Sequence, residues 1–277
     1  MEEPLDNQPL APATPDAQPA KEPAGAAPSK GESFKELVRS LGVVLLAVLL
    51  IRTFVAEATV IPTGSMEKTI LIGDHVFLNK LLYGPRLPYT TLRIPPLRSV
   101  NHGDIVAFHN PRNPSVLFVK RAIGLGGDLL KVQERKVSLN GKLLDEPYTQ
   151  FQYTNVLPLR DNFPPQVSEI ATLPAAWGLD PAWAREMAQF IEKDGLRVPP
   201  GYLFVMGDNR DNSLDSRFWG FVPVEAVVGE PLFVYWSYDA PTQDWTPDNI
   251  GDFARAKLSM AWNFLSKTRW SRTGKTF

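Results

Sequence analysis

The chain has no cysteine among its 277 residues. That removes disulfides, thiolate zinc sites and cysteine nucleophiles together, and it leaves the fold indifferent to redox compartment. Histidine is scarce: only His75, His102 and His109 are present. Neither sign of charge is in excess. Twenty-nine Lys and Arg stand against 30 Asp and Glu, a net charge of -1, so there is no basic footprint for nucleic acid. Aromatic residues are missing from the first 31 positions, which are rich in Pro, Ala, Glu and Gln. A segment of that kind buries too little surface to offset its ordering entropy, so residues 1–32 are expected to be a disordered leader.

What is present begins with an apolar stretch. Leu41–Ile51 is unbroken but shorter than the about 20 residues a membrane crossing needs. Counted from Leu37 to Ala56, with Arg39 and Arg52 snorkelling toward opposite interfaces, it is long enough. Residues 33–57 therefore read as an anchor. Lys30, Lys35 and Arg39 precede it, which favours a cytoplasmic N-terminus and a body on the far side. A cleavable signal peptide, with Ala56-Glu57-Ala58 as a small-x-small site, is the rival reading; Arg52 and the long polar leader count against it.

Beyond the anchor the pattern is β. Asp74–Lys80, Asp104–Phe108, Val116–Ile123, Leu129–Val132, Lys136–Leu139, Tyr202–Met206 and Val227–Trp236 read as short strands, and Asn140-Gly141 is a hairpin turn pair. These predict a mainly β body, an antiparallel sheet or barrel-like fold, over residues 58–240. Residues 148–200 look like an insertion on it. A helix is expected over Pro181–Lys193, with proline in its first turn and Gly195 after its end. Residues 241–277 mix six Lys and Arg with apolar side chains. They predict either an amphipathic basic helix on lipid or a helix packed on the body.

Three stretches carry chemistry. Ile61-Pro62-Thr63-Gly64-Ser65-Met66-Glu67 places a serine after glycine in a proline-braced segment. A serine hydroxyl is a weak nucleophile unless a base stands beside it, and without one Ser65 is a turn residue. The three histidines sit in loop-like contexts, and no Gly-x-Ser-x-Gly elbow surrounds Ser65. Lys120 is the other candidate base. In a strand, Val116, Phe118, Lys120 and Ala122 share a face, which sets one ammonium among apolar neighbours. Desolvation disfavours its charged form and prepares it to act as a base near neutral pH. The alternative is a strand-end lysine reaching for water. Gly207–Gly220 is the third stretch, crowded with Asp, Asn, Arg and Ser. Read as a calcium loop it puts Arg210, Ser216 or Val222 at positions that need other residues, so a dense hydrogen-bonded loop is expected instead, with Asp215 and Arg217 paired.

Together, Pro62–Met66, Gly73–Val76 through Lys80–Gly84, Gly103–Val106, Val119–Gly124, Gly127-Asp128 and Gly207–Arg217 resemble the successive boxes of the bacterial type I signal peptidases, membrane-anchored Ser–Lys proteases. The match covers about residues 54–128 and 202–235, in the family's order. Lys68, where many members carry proline, and Gly126, where proline is usual, depart from it. The resemblance implies Ser65 as nucleophile, Lys120 as its base and Ser213 as the hydroxyl that orients the lysine. It implies Thr63 and the Ser65 N–H as the oxyanion hole, Asp215 and Arg217 as a supporting ion pair, and Gly207 as a point of close backbone approach. It further implies a single-pass protein of the bacterial inner membrane with an uncleaved anchor and its body on the outer face. Signal-peptide-bearing precursors would be its partners, with no metal or cofactor. Thr63 and Ser65, two apart, would share a face if the chain there were extended.

Overall fold

The structure is a computed structural model that describes residues 30–86, 90, 92–173 and 177–277. Most of the expected leader, residues 1–29, lies outside the described residues. The chain divides into two compact units, Met1–Leu46 and Ala47–Phe277. A helix spans Lys30–Leu50 and continues as a wider turn through Ile51–Val55. Within it, Phe34–Val55 is long and apolar enough to cross a membrane, and none of its residues is buried.

The second unit is built on two antiparallel sheets. The first has seven strands: β1 Ala56–Val60, β2 Asp74–Asn79, β3 Ile105–Asn110, β4 Asn113–Leu125, β10 Tyr202–Met206, β11 Val222–Pro223 and β12 Val227–Ser237, in the order β1-β2-β12-β3-β4-β10-β11. The second has five: β5 Leu129–Gln133, β6 Lys136–Leu139, β7 Lys142–Leu143, β8 Ile191–Glu192 and β9 Gly195–Arg197, in the order β7-β6-β5-β9-β8. Ala56-Glu57-Ala58 is part of the edge strand β1, paired with Asn79, Leu78 and Phe77.

Alternation along the strands fills two cores. On β3, Val106 and Phe108 point into a large cluster with Ala122, Leu130, Val132, Phe204 and Met206, which joins the two sheets. Ile105 and Ala107 point the other way, into a smaller cluster with Ile61, Met66, Ile70, Val76, Leu78, Val119 and Val234. Both faces of the central strands are thus covered, which is why their sequences are almost continuously apolar.

The stretch read as an insertion contributes to the large core through Leu159, Phe163, Trp183 and Met187. The helix expected over Pro181–Lys193 is shorter: it runs Pro181–Met187, capped by the Asp180 carboxylate, and tightens into a 3₁₀ turn at Ala188–Phe190. The chain then turns through β8 and β9, because pairing with β5 satisfies this backbone better than another helical turn. Gly195 is therefore not a helix cap. A Cβ there would lie 2.5 Å from the Leu130 carbonyl oxygen on β5.

The basic tail forms a helix at Ile250–Trp262, with Ala256 and Met260 buried, and then returns to the body. Thr268 and Thr276 bridge to Tyr238 and Phe233. Arg272 reaches the fully buried Asp74, with Nη2 2.5 Å from Oδ2, and also donates to the Thr69 carbonyl. Ser237 Oγ donates to the same carboxylate at 2.7 Å.

Candidate active site

Ser65 sits in a single 3₁₀ turn, Gly64–Met66, entered from an extended Thr63. Met66 anchors the turn by filling the smaller core. Because the chain coils at Gly64, strand alternation does not relate Thr63 to Ser65; Thr63 is exposed while Ser65 is buried. The Ser65 N–H lies at the start of the turn, where no intrahelical acceptor is available to it.

Lys120 lies midway along β4, opposite Val106 of β3. Its strand places Ala122 on the same face, in the large core, and the ammonium stands 5.2 Å from the Phe118 ring centre. The residue is 4% exposed. Nζ is 2.6 Å from Ser65 Oγ and 3.2 Å from the Val119 carbonyl oxygen. Burial lowers its pKa to about 8, against the opposing pull of Asp215 and Asp208. Of the two readings of the strand lysine, the structure contains the buried one.

The acidic, amide-rich loop after β10 closes the site. β10 pairs with β4 so that Met206 faces Arg121, and Gly207 follows at the strand's end. A Cβ on Gly207 would fall 2.3 Å from Ser213 Oγ and 2.4 Å from the Ser65 carbonyl oxygen, so only glycine lets the two segments approach. The Gly207 N–H donates to Asp215 Oδ2 at 3.0 Å. Arg217 binds Asp215 through two bonds, Nε to Oδ1 and Nη2 to Oδ2, both 2.8 Å. Its remaining donors reach the carbonyls of Arg160 and Arg210. Burial alone would raise the Asp215 carboxyl; Arg217 outweighs that and holds it below the usual carboxylate range. Ser213 is buried near this carboxylate and adds a smaller lowering, but among the described residues its Oγ makes no hydrogen bond of regular geometry, either to Lys120 or to any other group. It borders a cavity of about 250 Å³ shared with Leu157, Trp177 and Phe218.

Several residues that hold this site were not singled out from the sequence. Asn209 donates its N–H to the Ser65 carbonyl at 3.1 Å and its amide to the Gly64 carbonyl at 3.1 Å. Arg121, next to Lys120, pairs with the fully buried Asp208 at 2.6 Å and stacks on Tyr148. Arg210 grips Glu146 with two bonds. The density of charge in residues 207–217 announced a network, but its partners lie tens of residues away in the chain. Among the described residues no cluster of three or more His, Asp or Glu is arranged to hold a metal ion.

Residues 34–236 match the family described as signal peptidase, peptidase S26. A signal peptidase I of Aquifex aeolicus is 36% identical over 266 residues, covering 87% of this chain and 97% of its own. One from Pseudomonas aeruginosa is 32% identical over 234 residues, covering 79% of this chain and 77% of its own. A crystal structure of a signal peptidase I from Enterococcus faecalis is 27% identical and covers 48% of this chain and 97% of that one, with a TM-score of 0.30.

Proposed function

The chain belongs to the signal peptidase family, peptidase S26, and from that premise we propose that it is a serine endopeptidase that removes N-terminal signal peptides with Ser65 as nucleophile and Lys120 as base. The observation that carries the reading is the 2.6 Å approach of Lys120 Nζ to Ser65 Oγ inside a buried site. A lysine is a base only when neutral, and burial is what makes the neutral amine accessible near physiological pH.

In the reaction, the neutral amine accepts the Ser65 hydroxyl proton as Oγ attacks the carbonyl carbon of the scissile peptide. The oxyanion that forms accepts hydrogen bonds from the Ser65 N–H and the Thr63 hydroxyl. One such donor is worth about 2.7–4 kcal/mol of transition-state stabilisation. Lys120 then gives its proton to the departing amine, the C–N bond breaks, and the signal peptide remains as a Ser65 ester. Lys120 next takes a proton from water, which attacks the ester; return of that proton to Oγ frees the serine. Ser213 is the hydroxyl that orients the lysine, a role supported by its burial against Gly207 beside the site. Asp215 and Arg217 brace the loop that carries it.

The apolar helix Phe34–Val55 serves as an uncleaved anchor in the bacterial inner membrane, with the N-terminus cytoplasmic and the β body on the outer face. There the body meets the signal peptides of exported precursors as they emerge. Incubating the purified full chain with a signal-bearing precursor tests the reading. A shortened product from the wild type and none from Ser65→Ala is the expected result; an uncut precursor in both defeats it.

A further inference from the structure

Lys68 stands three residues after Ser65. Its φ is +81°. Proline, held near about −65°, cannot take that conformation. A lysine there is strained as well, and such strain persists only where surrounding contacts over-determine it. Lys68 Nζ donates to the carbonyl oxygens of Pro147 and Thr149, the second at 3.0 Å. The next residue, Gln150, runs parallel to Asn209: its N–H donates to the Asp208 carbonyl at 2.8 Å, and its own carbonyl accepts from the Arg210 N–H at 3.0 Å. Asn209 leads back to the start, through its bonds to the Gly64 and Ser65 carbonyls. Thr69, beside Lys68, donates to Asp208 at 2.5 Å.

We propose that Lys68 is a positioning residue for Ser65, closing a circuit of hydrogen bonds that runs from the serine turn through Pro147–Gln150 and Asn209 back to the serine. The inference rests on Ser65 being the nucleophile. Lys68 is the exposed link of the circuit, whereas Asp208 and Asn209 are buried. Its loss leaves the Pro147–Thr149 segment without those two bonds to the turn, and Ser65 gains freedom to drift from Lys120. A displacement of about 1 Å at a reacting atom costs on the order of a hundredfold in rate.

The test uses the full chain and a signal-bearing precursor, with kcat and KM measured separately and melting temperature recorded. Lys68→Met should lower kcat about tenfold or more while KM stays within about twofold and the fold is kept. Lys68→Arg, whose guanidinium can donate to the same carbonyls, should recover most of the loss. An unchanged kcat in Lys68→Met overturns the inference, as does a loss that Lys68→Arg does not recover or one carried by KM alone. An active wild type with an equally active Lys68→Met sinks this inference only; an inactive wild type sinks the functional reading and this one with it.

Discussion

Gly207 lies against the Ser65 turn so closely that a methyl group on it would stand 2.4 Å from the Ser65 carbonyl oxygen and 2.3 Å from Ser213 Oγ. The first contact is with backbone, so one segment would have to move. Gly207→Ala should therefore lower kcat about a hundredfold, the usual cost of displacing a reacting group by about 1 Å, while the β body still melts cooperatively. Steady-state cleavage alongside a thermal melt checks this.

Lys120 predicts the pH dependence. With its pKa lowered to about 8, the amine is protonated below that pH and cannot take the serine proton. Cleavage measured as kcat/KM should fall about tenfold per pH unit below pH 8 and level off above it. A flat profile between pH 6 and 9 would contradict a lysine base.

The same shift has a stability consequence of opposite value. The unfolded lysine titrates at its ordinary value of 10.5 and the folded one at about 8, so between these values the unfolded chain binds more protons and stability rises with pH. Below pH 8 the cost of burying the charge is present in full. Lys120→Met should thus be inactive yet more stable than wild type at pH 7, by up to about 3 kcal/mol, from about 1.36 kcal/mol per pK unit. The gain should fade as the pH approaches 10.5. Denaturant melts of both proteins at pH 7 and pH 10 measure it.

Asp215 and Arg217 are both buried and bonded twice to each other. Asp215→Asn leaves a guanidinium without its counter-charge in the interior and should destabilise by about 3–5 kcal/mol. It also removes the largest influence that raises the Lys120 pKa. Whatever activity survives should have its acidic limb moved to lower pH, and a pH–rate profile of the variant reads this directly.

Much of this architecture was legible in the sequence because it is local. The alternation of Val116, Phe118, Lys120 and Ala122 announced a lysine facing apolar neighbours, and Asp215 and Arg217 are only two residues apart. The strands were visible for the same reason. What stayed hidden depends on distant pairing. The β8–β9 turn replaced the second half of an expected helix because β5 offers it a ladder, and nothing between Pro181 and Gly195 signals β5. Asn209 looks like any loop amide until Ser65, 144 positions earlier, is folded against it. Thr63 and Ser65 were placed on one face by assuming an extended chain, and the 3₁₀ turn at Gly64 removes that relation. Among the described residues Lys120 Nζ bonds to Ser65 and Val119 and not to Ser213, where the resemblance implied a hydrogen bond.

The clasp between Arg272 and Asp74 joins residues 198 positions apart. A ribosome makes Asp74 long before it makes Arg272. Until then a carboxylate destined for the interior lacks the Arg272 counter-charge, and the Thr69 carbonyl lacks its Arg272 donor. The β body thus gains this buried ion pair only when the last segment of the chain has been made.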